Sequence, residues 1–443
     1  KEAKELYGDA LKEIDFRENH RFQIPQGCHW NDIRETTTDI GAKLQKSLRE
    51  IEKANFELLH DVFGDAQWTN KRRLSDEKLI DLIEHFSGMN LTLQNVPHDM
   101  MGDGYEYLIN KFADDSGHTA AEFYTNRTVV ELMTSISNPQ PGESVYDPTC
   151  GSGGILLNAA LSLKKQGKEY RNLKLYGQEL NLITSAISRI NMFMHNIDEF
   201  LIIQGDTLDQ PQILENDRLK QFNVIMANPP YSVKKWDQVK FSDDPFGRNI
   251  WGTPPKGCAD YAFQQHIIKS LKPDSGRSVT LWPHGVLFRD SEAEMRKQMI
   301  EADLVDAVIG LGKNLFYNSS MESCLLVCNM NKPKNRKRKV IFIDGKDEIR
   351  LERSAAYLKD EHIKRMSDAY WNFKDENGFS AVVKSKDILK DNNGNLSIQL
   401  YVKTEKTDSN HSVEKLLSTI QENRNSLEDG YNQLTSKLKD LGI

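Results

Sequence analysis

The sequence predicts an α/β fold: a mainly parallel sheet with helices on both faces, an all-helical segment before it and a helical tail after it. Three observations support this. Between about residues 128 and 345, seven short apolar runs alternate with helical stretches, the pattern of a sheet built by crossover connections. Residues 1–115 repeat apolar side chains at spacings of three and four and hold little strand-like sequence. Residues 412–443 return to threes, fours and sevens, close to a heptad. The boundaries that follow are 1–115 for the helical domain, 116–345 for the α/β domain, 346–410 for its mixed, polar extension and 411–443 for the terminal helix.

In the first part, Ile40, Leu44, Leu48 and Ile51 mark one helix, followed by Leu58, Leu59, Val62 and Phe63. A second starts after the N-cap Ser75, carries Leu79, Ile80, Leu82, Ile83 and Phe86, and stops at Gly88. A third runs through YEYLINKFA (105–113). The strand-like runs are SVYD (144–147), LKLYGQ (173–178), FLIIQ (200–204), FNVIMA (222–227), SVTLWP (278–283), LVDAVIGL (304–311) and CLLVCNM (324–330). In the tail, Val413, Leu416, Ile420, Leu427, Tyr431, Leu434, Leu438 and Leu441 form one apolar seam, interrupted by Gly430. Such a seam must be buried, on the protein's own body or on a partner.

Composition excludes several classes. With 38% hydrophobic and 28% charged residues over 443 positions, the chain reads as soluble and can bury a sizeable core without disulfides. No apolar run approaches the ~18 residues of a bilayer-crossing helix, which excludes a membrane protein, and the start carries no secretory signal pattern. The chain begins at Lys1 rather than Met, so a preceding segment is expected. Cys28, Cys150, Cys258, Cys324 and Cys328 are an odd, scattered set, as expected of reduced thiols in the cytoplasm. Cys324 and Cys328 lie in an apolar run without a second Cys or His pair, so they read as core thiols, and no metal site is expected. The net charge of −7 disfavours a free-standing nucleic-acid binder, although a local basic surface or a partner could supply the positive charge. The basic segment NKPKNRKRK (331–339) is either a solvated loop or a nucleic-acid contact.

The sharpest chemical signal is DPTCGSGG (147–154), between a strand run and the helix ILLNAALSL. Its glycines permit positive φ and let a ligand approach main-chain N–H groups at a helix start. It is neither GxGxxG nor a P-loop. Glu179 ends the second run, where a carboxylate can accept from ribose hydroxyls, and Asp206 ends the third, where one can accept from an exocyclic amine. Together these describe an adenosine pocket without a phosphate site. Asn228-Pro229-Pro230-Tyr231 follows the fourth run. Proline stops the strand and stiffens the backbone. The Asn228 side chain and Pro229 carbonyl then offer two acceptors to one NH₂ group, and Tyr231 offers a stacking face. The polar loop 232–257, which carries Lys234 and Lys235, is of a size that is usually functional or disordered.

These motifs resemble the S-adenosylmethionine-dependent amino-methyltransferases. AEFYTNR (121–127) lies before the glycine loop, which matches the N6-adenine DNA methyltransferases of the gamma arrangement. With YEYLINKFA, GVLF (285–288) and NLSIQLYVK (395–403), the chain resembles the modification subunit of type I restriction-modification systems over about residues 100–410. Ala121 stands where that family usually has Gly, Asn126 where it usually has Pro, and Tyr231 where close relatives often have Phe.

The resemblance implies a Rossmann-like methyltransferase with a seven-stranded mixed sheet and S-adenosyl-L-methionine as cofactor. Glu122, Phe123, Tyr124 and Thr125 would close over its methionine part. Asp147, Gly151, Ser152 and Gly153 would hold its amino and carboxylate end, Glu179 the ribose and Asp206 the adenine, with Asn228 also among the cofactor contacts. Asn228, Pro229, Pro230 and Tyr231 would hold a target adenine flipped from double-stranded DNA, since N6 is inaccessible inside the stack. Cys150 reads as a packing residue, not a nucleophile. A DNA specificity subunit is the expected partner of the C-terminal helix, with a second modification subunit and a restriction subunit as further candidates, all in a bacterial or archaeal cytoplasm. Two other readings compete: a protein glutamine-amide methyltransferase, since NPPY could hold any planar amide, and a non-catalytic scaffold subunit.

Overall fold

The computed structural model describes residues 21–403, apart from 65, 93–94, 116–124, 316–320 and 353–355, and beyond them Gln421 and Arg424. Its first helices are α1 (Trp30–Arg34), α2 (Ile40–Ala54), α3 (Asp76–Ser87) and α4 (His98–Asp115). Ile33 of α1, Ile40 and Leu44 of α2, and Leu79 and Ile83 of α3 bury one small core. Asn55 ends α2 because its side-chain amide donates to the Ile51 and Gln23 carbonyls at 2.7 Å each, so the helix predicted to run on breaks there. Leu58 and Leu59 then form a separate short turn, Phe56–Leu59. The Ser75 hydroxyl accepts from the Lys78 N–H at the start of α3. Gly88 closes α3 as predicted but in the right-handed conformation, its N–H donating to the Glu84 carbonyl and the Met89 N–H to the Phe86 carbonyl.

The helix α5 (Arg127–Ser137) leads into β1 (Ser144–Asp147), α6 (Gly154–Lys165), β2 (Lys174–Glu179), α7 (Leu182–Met194), β3 (Phe200–Gln204) and β4 (Val224–Ala227). There follow α8 (Asp260–Lys269), β5 (Arg277–Pro283), α9 (Ala293–Glu301), β6 (Val305–Leu311), β7 (Ser323–Asn329) and β8 (Lys339–Gly345). Last come α10 (Asp360–Asn372), β9 (Ser380–Lys384) and α11 (Ser385–Asp391). The nine strands form one sheet in the order β9-β8-β6-β7-β5-β4-β1-β2-β3. All seven predicted runs are strands and lie side by side. Two further strands, β8 and β9, extend the sheet at the β6 edge.

Strands β3, β2, β1, β4 and β5 run parallel to one another. β7 runs antiparallel between β5 and β6, β8 is parallel to β6, and β9 is antiparallel to β8. Alternation of side chains divides the core. Val145, Leu175, Val224 and Met226 face the helices α5, α6 and α10. Tyr146, Ile225, Ala227 and Trp282 face α8 and α9. Chain order reverses between β1 and β4, which opens a crevice at their carboxyl ends, where ligands of such sheets bind.

Residues 346–402 brace the extended edge. Tyr401 stacks on Phe342 at 4.1 Å, and Ile398 fills the space over Gly310. By its contacts the chain divides into Lys1–Val402 and Lys403–Ile443. The predicted apolar seam of the terminal helix lies outside the described residues.

Candidate active site

The site is built at the carboxyl ends of β1 to β4. Asp147 ends β1 and is buried. Its Oδ1 accepts the Thr149 N–H at 3.0 Å, while Oδ2 is buried with no partner among the described residues. Burial pushes the Asp147 carboxyl up to about 7; the Thr149 hydrogen bonds oppose this and the Glu179 charge adds to it. The chain then turns through Gly151 (φ +52°) and Gly153 (φ +80°), where glycine is favoured, and enters α6 at Gly154. Gly153 is required twice over, since a Cβ there would stand 2.4 Å from the Ser188 hydroxyl of α7. Ser152 is buried, and its carbonyl accepts from the Asn191 side chain at 3.1 Å.

Glu179 at the end of β2 reaches back to this loop. Its Oε2 accepts the Gly151 N–H at 3.0 Å and its Oε1 the Asn181 N–H at 2.9 Å. Burial raises its pKa, and these backbone bonds counter that rise. Each carboxylate oxygen keeps a second acceptor position. Cys150 is buried against Gly177 of β2, where a Cβ would meet its Sγ at 2.8 Å, and burial raises its thiol well above the ordinary range. Both features suit packing rather than nucleophilic chemistry.

Asp206, after β3, is exposed, and its Oδ1 accepts the N–H groups of Leu208 and Asp209 at 2.8 and 3.1 Å. The next residue joins this turn to the glycine loop: the Thr207 hydroxyl donates to the Pro148 carbonyl at 2.5 Å.

After β4, Asn228 is half-buried, Pro229 buried and Pro230 exposed. The Asn228 amide nitrogen donates to the Thr125 hydroxyl at 3.0 Å, and its Oδ1 accepts from the Tyr231 hydroxyl at 2.6 Å. Thr125, expected to touch cofactor, thus also orients the asparagine of the adjoining motif. The Tyr231 ring lies 6.4 Å from Trp282, and burial pushes its phenol far above the usual range. Glu122, Phe123 and Tyr124 lie outside the described residues. Asn126 caps α5 by accepting the Thr128 N–H at 3.0 Å, and its amide donates to the Ala356 carbonyl. These contacts give this position a helix-capping role of its own where the family usually has proline.

Several residues at the site escaped the sequence reading. Ser232, directly after Tyr231, holds a left-handed conformation (φ +51°), and its N–H donates to Asp260 Oδ1 at 2.7 Å. Asp260 is buried and ion-paired to Arg289, which also pairs with the buried Glu292. Cys258 donates to Glu292 at 3.5 Å, so the trio Cys258, Asp260 and Glu292, close enough together for a metal ion, is already engaged by Arg289 and its own hydrogen bonds. Farther along, Arg248 is buried in an ion pair with Asp244 and donates to the Thr207 and Leu208 carbonyls at 2.7 and 2.8 Å. The loop 232–257 is therefore anchored by its own side chains, including the buried Phe241 and Trp251, while Lys234 and Lys235 are exposed. Nothing in the local sequence marks these charges as buried.

An α/β sheet with a glycine loop after β1, an acid after β2 and NPPY after β4 defines a class of amino-methyltransferases. The family model described as N-6 DNA methylase matches residues 96–410, and that of the HsdM N-terminal domain matches residues 1–86. The chain belongs to the N-6 DNA methylase family. It is 30% identical to the type I restriction enzyme MpnII methylase subunit of Mycoplasma pneumoniae, over 98% of this chain and 81% of that one. It is 32% identical to the HindI methylase subunit of Haemophilus influenzae, over 80% and 76% of the two chains. Among solved structures, the type I methyltransferase subunit from Streptococcus thermophilus superposes with a TM-score of 0.78 at 30% identity, over 90% and 85% of the chains. No described helix is long and apolar enough to cross a membrane.

Proposed function

We propose that this chain is the site-specific adenine-N6 DNA methyltransferase subunit of a type I restriction-modification complex. The observation that carries the reading is the convergence of Thr125, Asn228 and Tyr231 beside the Asp147–Glu179 loop. S-adenosyl-L-methionine fits this loop, because Asp147 Oδ2 is a buried acceptor without a partner among the described residues and Gly151 and Gly153 leave the main chain open. Asp147, Gly151, Ser152 and Gly153 would hold the amino-acid end, with Glu122, Phe123, Tyr124 and Thr125 closing over it, Glu179 the ribose and Asp206 the adenine. Bound there, the cofactor supplies an electrophilic sulfonium methyl group.

The chain's own residues prepare the acceptor. Asn228 Oδ1 and the Pro229 carbonyl take the two hydrogens of the adenine amine. That draws the N6 lone pair out of ring conjugation and makes the nitrogen more nucleophilic. The Tyr231 ring stacks on the base, and its hydroxyl yields Asn228 Oδ1 to the incoming amine. Rate enhancement comes from positioning and fixed dipoles, without a strong base. Transfer of a labelled methyl group tests this: the assembled complex should label adenine in duplex DNA and leave protein glutamine unlabelled. Label on protein amides alone would replace the assignment.

Two residues outside the motif give further tests. Asp260 fixes the turn after Tyr231, so it is a positioning residue. Asp260→Ala should lower kcat roughly tenfold or more, since small misplacements at a reacting centre are costly. Cofactor affinity should stay unchanged and Asp260→Asn should restore most of the rate. Lost thermal stability with unchanged kcat would contradict this role.

Asp147 gives the pH dependence. Its folded pKa of about 7 lies above its ordinary 3.8, so its contribution to stability is present below about pH 4 and is lost as pH rises towards 7. Holding a cationic ammonium group requires the ionised form, so cofactor affinity should move the other way. Between about pH 5.5 and 7, wild-type affinity should rise with pH, by at most ~10-fold per unit. Asp147→Asn should bind weakly with a flat profile, and a flat wild-type profile would argue against the placement.

The apolar seam of residues 413–441 supports docking on a DNA specificity subunit, which would read the target sequence. Truncation at about residue 408 should abolish co-purification with that subunit, and retained binding would remove the idea.

A further inference from the structure

The basic segment 331–339 is not a loose hairpin. Lys332 is buried in an ion pair with Asp303, and Arg336 in one with Asp306. Both Asp303 oxygens accept the Arg338 N–H at 2.9 Å, which holds Arg338 in a left-handed conformation (φ +58°). The Arg338 guanidinium donates to the Glu301 carbonyl at 2.6 Å. The turn is thus fixed at the start of β8, where Lys339 is paired directly across the ladder with Lys384 at the end of β9.

Two lysines facing each other across an antiparallel pair repel. None of the ion pairs among the described residues relieves them, nor do any involve the neighbouring Lys337 and Lys386. These residues surround a cavity of about 490 Å³ that is also lined by Arg338 and Ser385. Ser385 is buried, and its hydroxyl has no hydrogen-bond partner among the described residues. Glu301 is the single acid in the lining. In a chain of net charge −7, this is a preformed cationic cavity with an unused hydroxyl.

We propose that the cavity is a phosphate-binding site, with Lys339 and Lys384 as its principal cations and Ser385 as a hydroxyl donor. Its place in the sheet separates it from the methylation site. β8 runs in the same direction as β4, so its first residue lies at the opposite end of the strands from Asn228. A phosphate held here is therefore not one flanking a flipped base. Its source is a stretch of nucleic-acid backbone outside the catalytic crevice or a free phosphate compound.

The test compares the full chain with Lys339→Gln/Lys384→Gln. Sodium pyrophosphate is titrated calorimetrically. A G·C-only duplex, which offers no adenine to the catalytic crevice, is titrated by fluorescence anisotropy across a range of salt. S-adenosylmethionine affinity in both proteins confirms that the sheet is intact. The wild-type chain should bind pyrophosphate, and the double variant should lose at least roughly tenfold in affinity. If backbone phosphate is the source, the slope of log K against log salt for the duplex should also fall by about two, at roughly 0.9 for each phosphate that the lysines no longer neutralise. A pyrophosphate effect with an unchanged duplex slope assigns a free phosphate compound. A duplex effect alone assigns the nucleic-acid backbone. Equal behaviour of both proteins towards both probes overturns the proposal.

Discussion

Asn228→Ala is expected to reduce kcat for adenine methylation by roughly 10²–10³-fold, the cost of removing one preorganised dipole from a reacting centre. The substitution deletes the acceptor that Asn228 Oδ1 would offer to the amine, and only the Pro229 carbonyl remains. Cofactor affinity should stay within about tenfold, because the Asp147 and Glu179 contacts around the glycine loop do not pass through Asn228. The fold should survive, since the hydrogen bonds removed are those to Thr125 and Tyr231 at a half-buried position. Tyr231→Phe supplies the internal control. It keeps the stacking ring and removes only the hydroxyl that occupies Asn228 Oδ1, so it should retain kcat within a few-fold. Single-turnover methyl transfer at saturating cofactor measures both. A near-normal rate for Asn228→Ala would mean that the amine is not held there.

Glu179→Ala is expected to weaken S-adenosylmethionine binding by roughly 10²–10³-fold. The carboxylate is proposed to accept from the ribose hydroxyls, and each hydrogen bond to a charged group is worth about 1.5–3 kcal/mol. The substitution also releases the N–H groups of Gly151 and Asn181, so the glycine loop loses its tie to β2. Calorimetry should report the loss of affinity, and hydrogen exchange should show faster exchange at Gly151. Glu179→Gln, which keeps one acceptor oxygen, should fall between the two. Full affinity in Glu179→Ala with a disturbed loop would make the residue a loop anchor with no part in the ribose site.

The sheet was legible because its strands are short apolar runs bounded by turn chemistry, and all seven such runs are strands in the structure. β9 was hidden because SAVVK is a five-residue edge strand set in polar sequence. The break after α2 was hidden because it depends on Asn55 reaching Gln23, far away in the chain. At the site, Asp147, Glu179 and Asn228 were legible because each ends or directly follows a strand, and strand ends converge in such a sheet. Asp260 and Arg289 were not. Buried charges in local sequence look like solvated ones, and only tertiary pairing separates the two. Arg248 escaped for the same reason, in a loop that reads as polar but is pinned from within.

NPPY at residues 228–231 is proposed to hold the adenine amine for methylation in DNA. Modification-sensitive sequencing of genomic DNA tests it most directly, in cells carrying either the wild-type chain or Asn228→Ala with the rest of the system intact. N6-methyladenine at a split, two-part motif should be present with the wild type and absent with the variant. An unchanged methylation pattern would contradict the account.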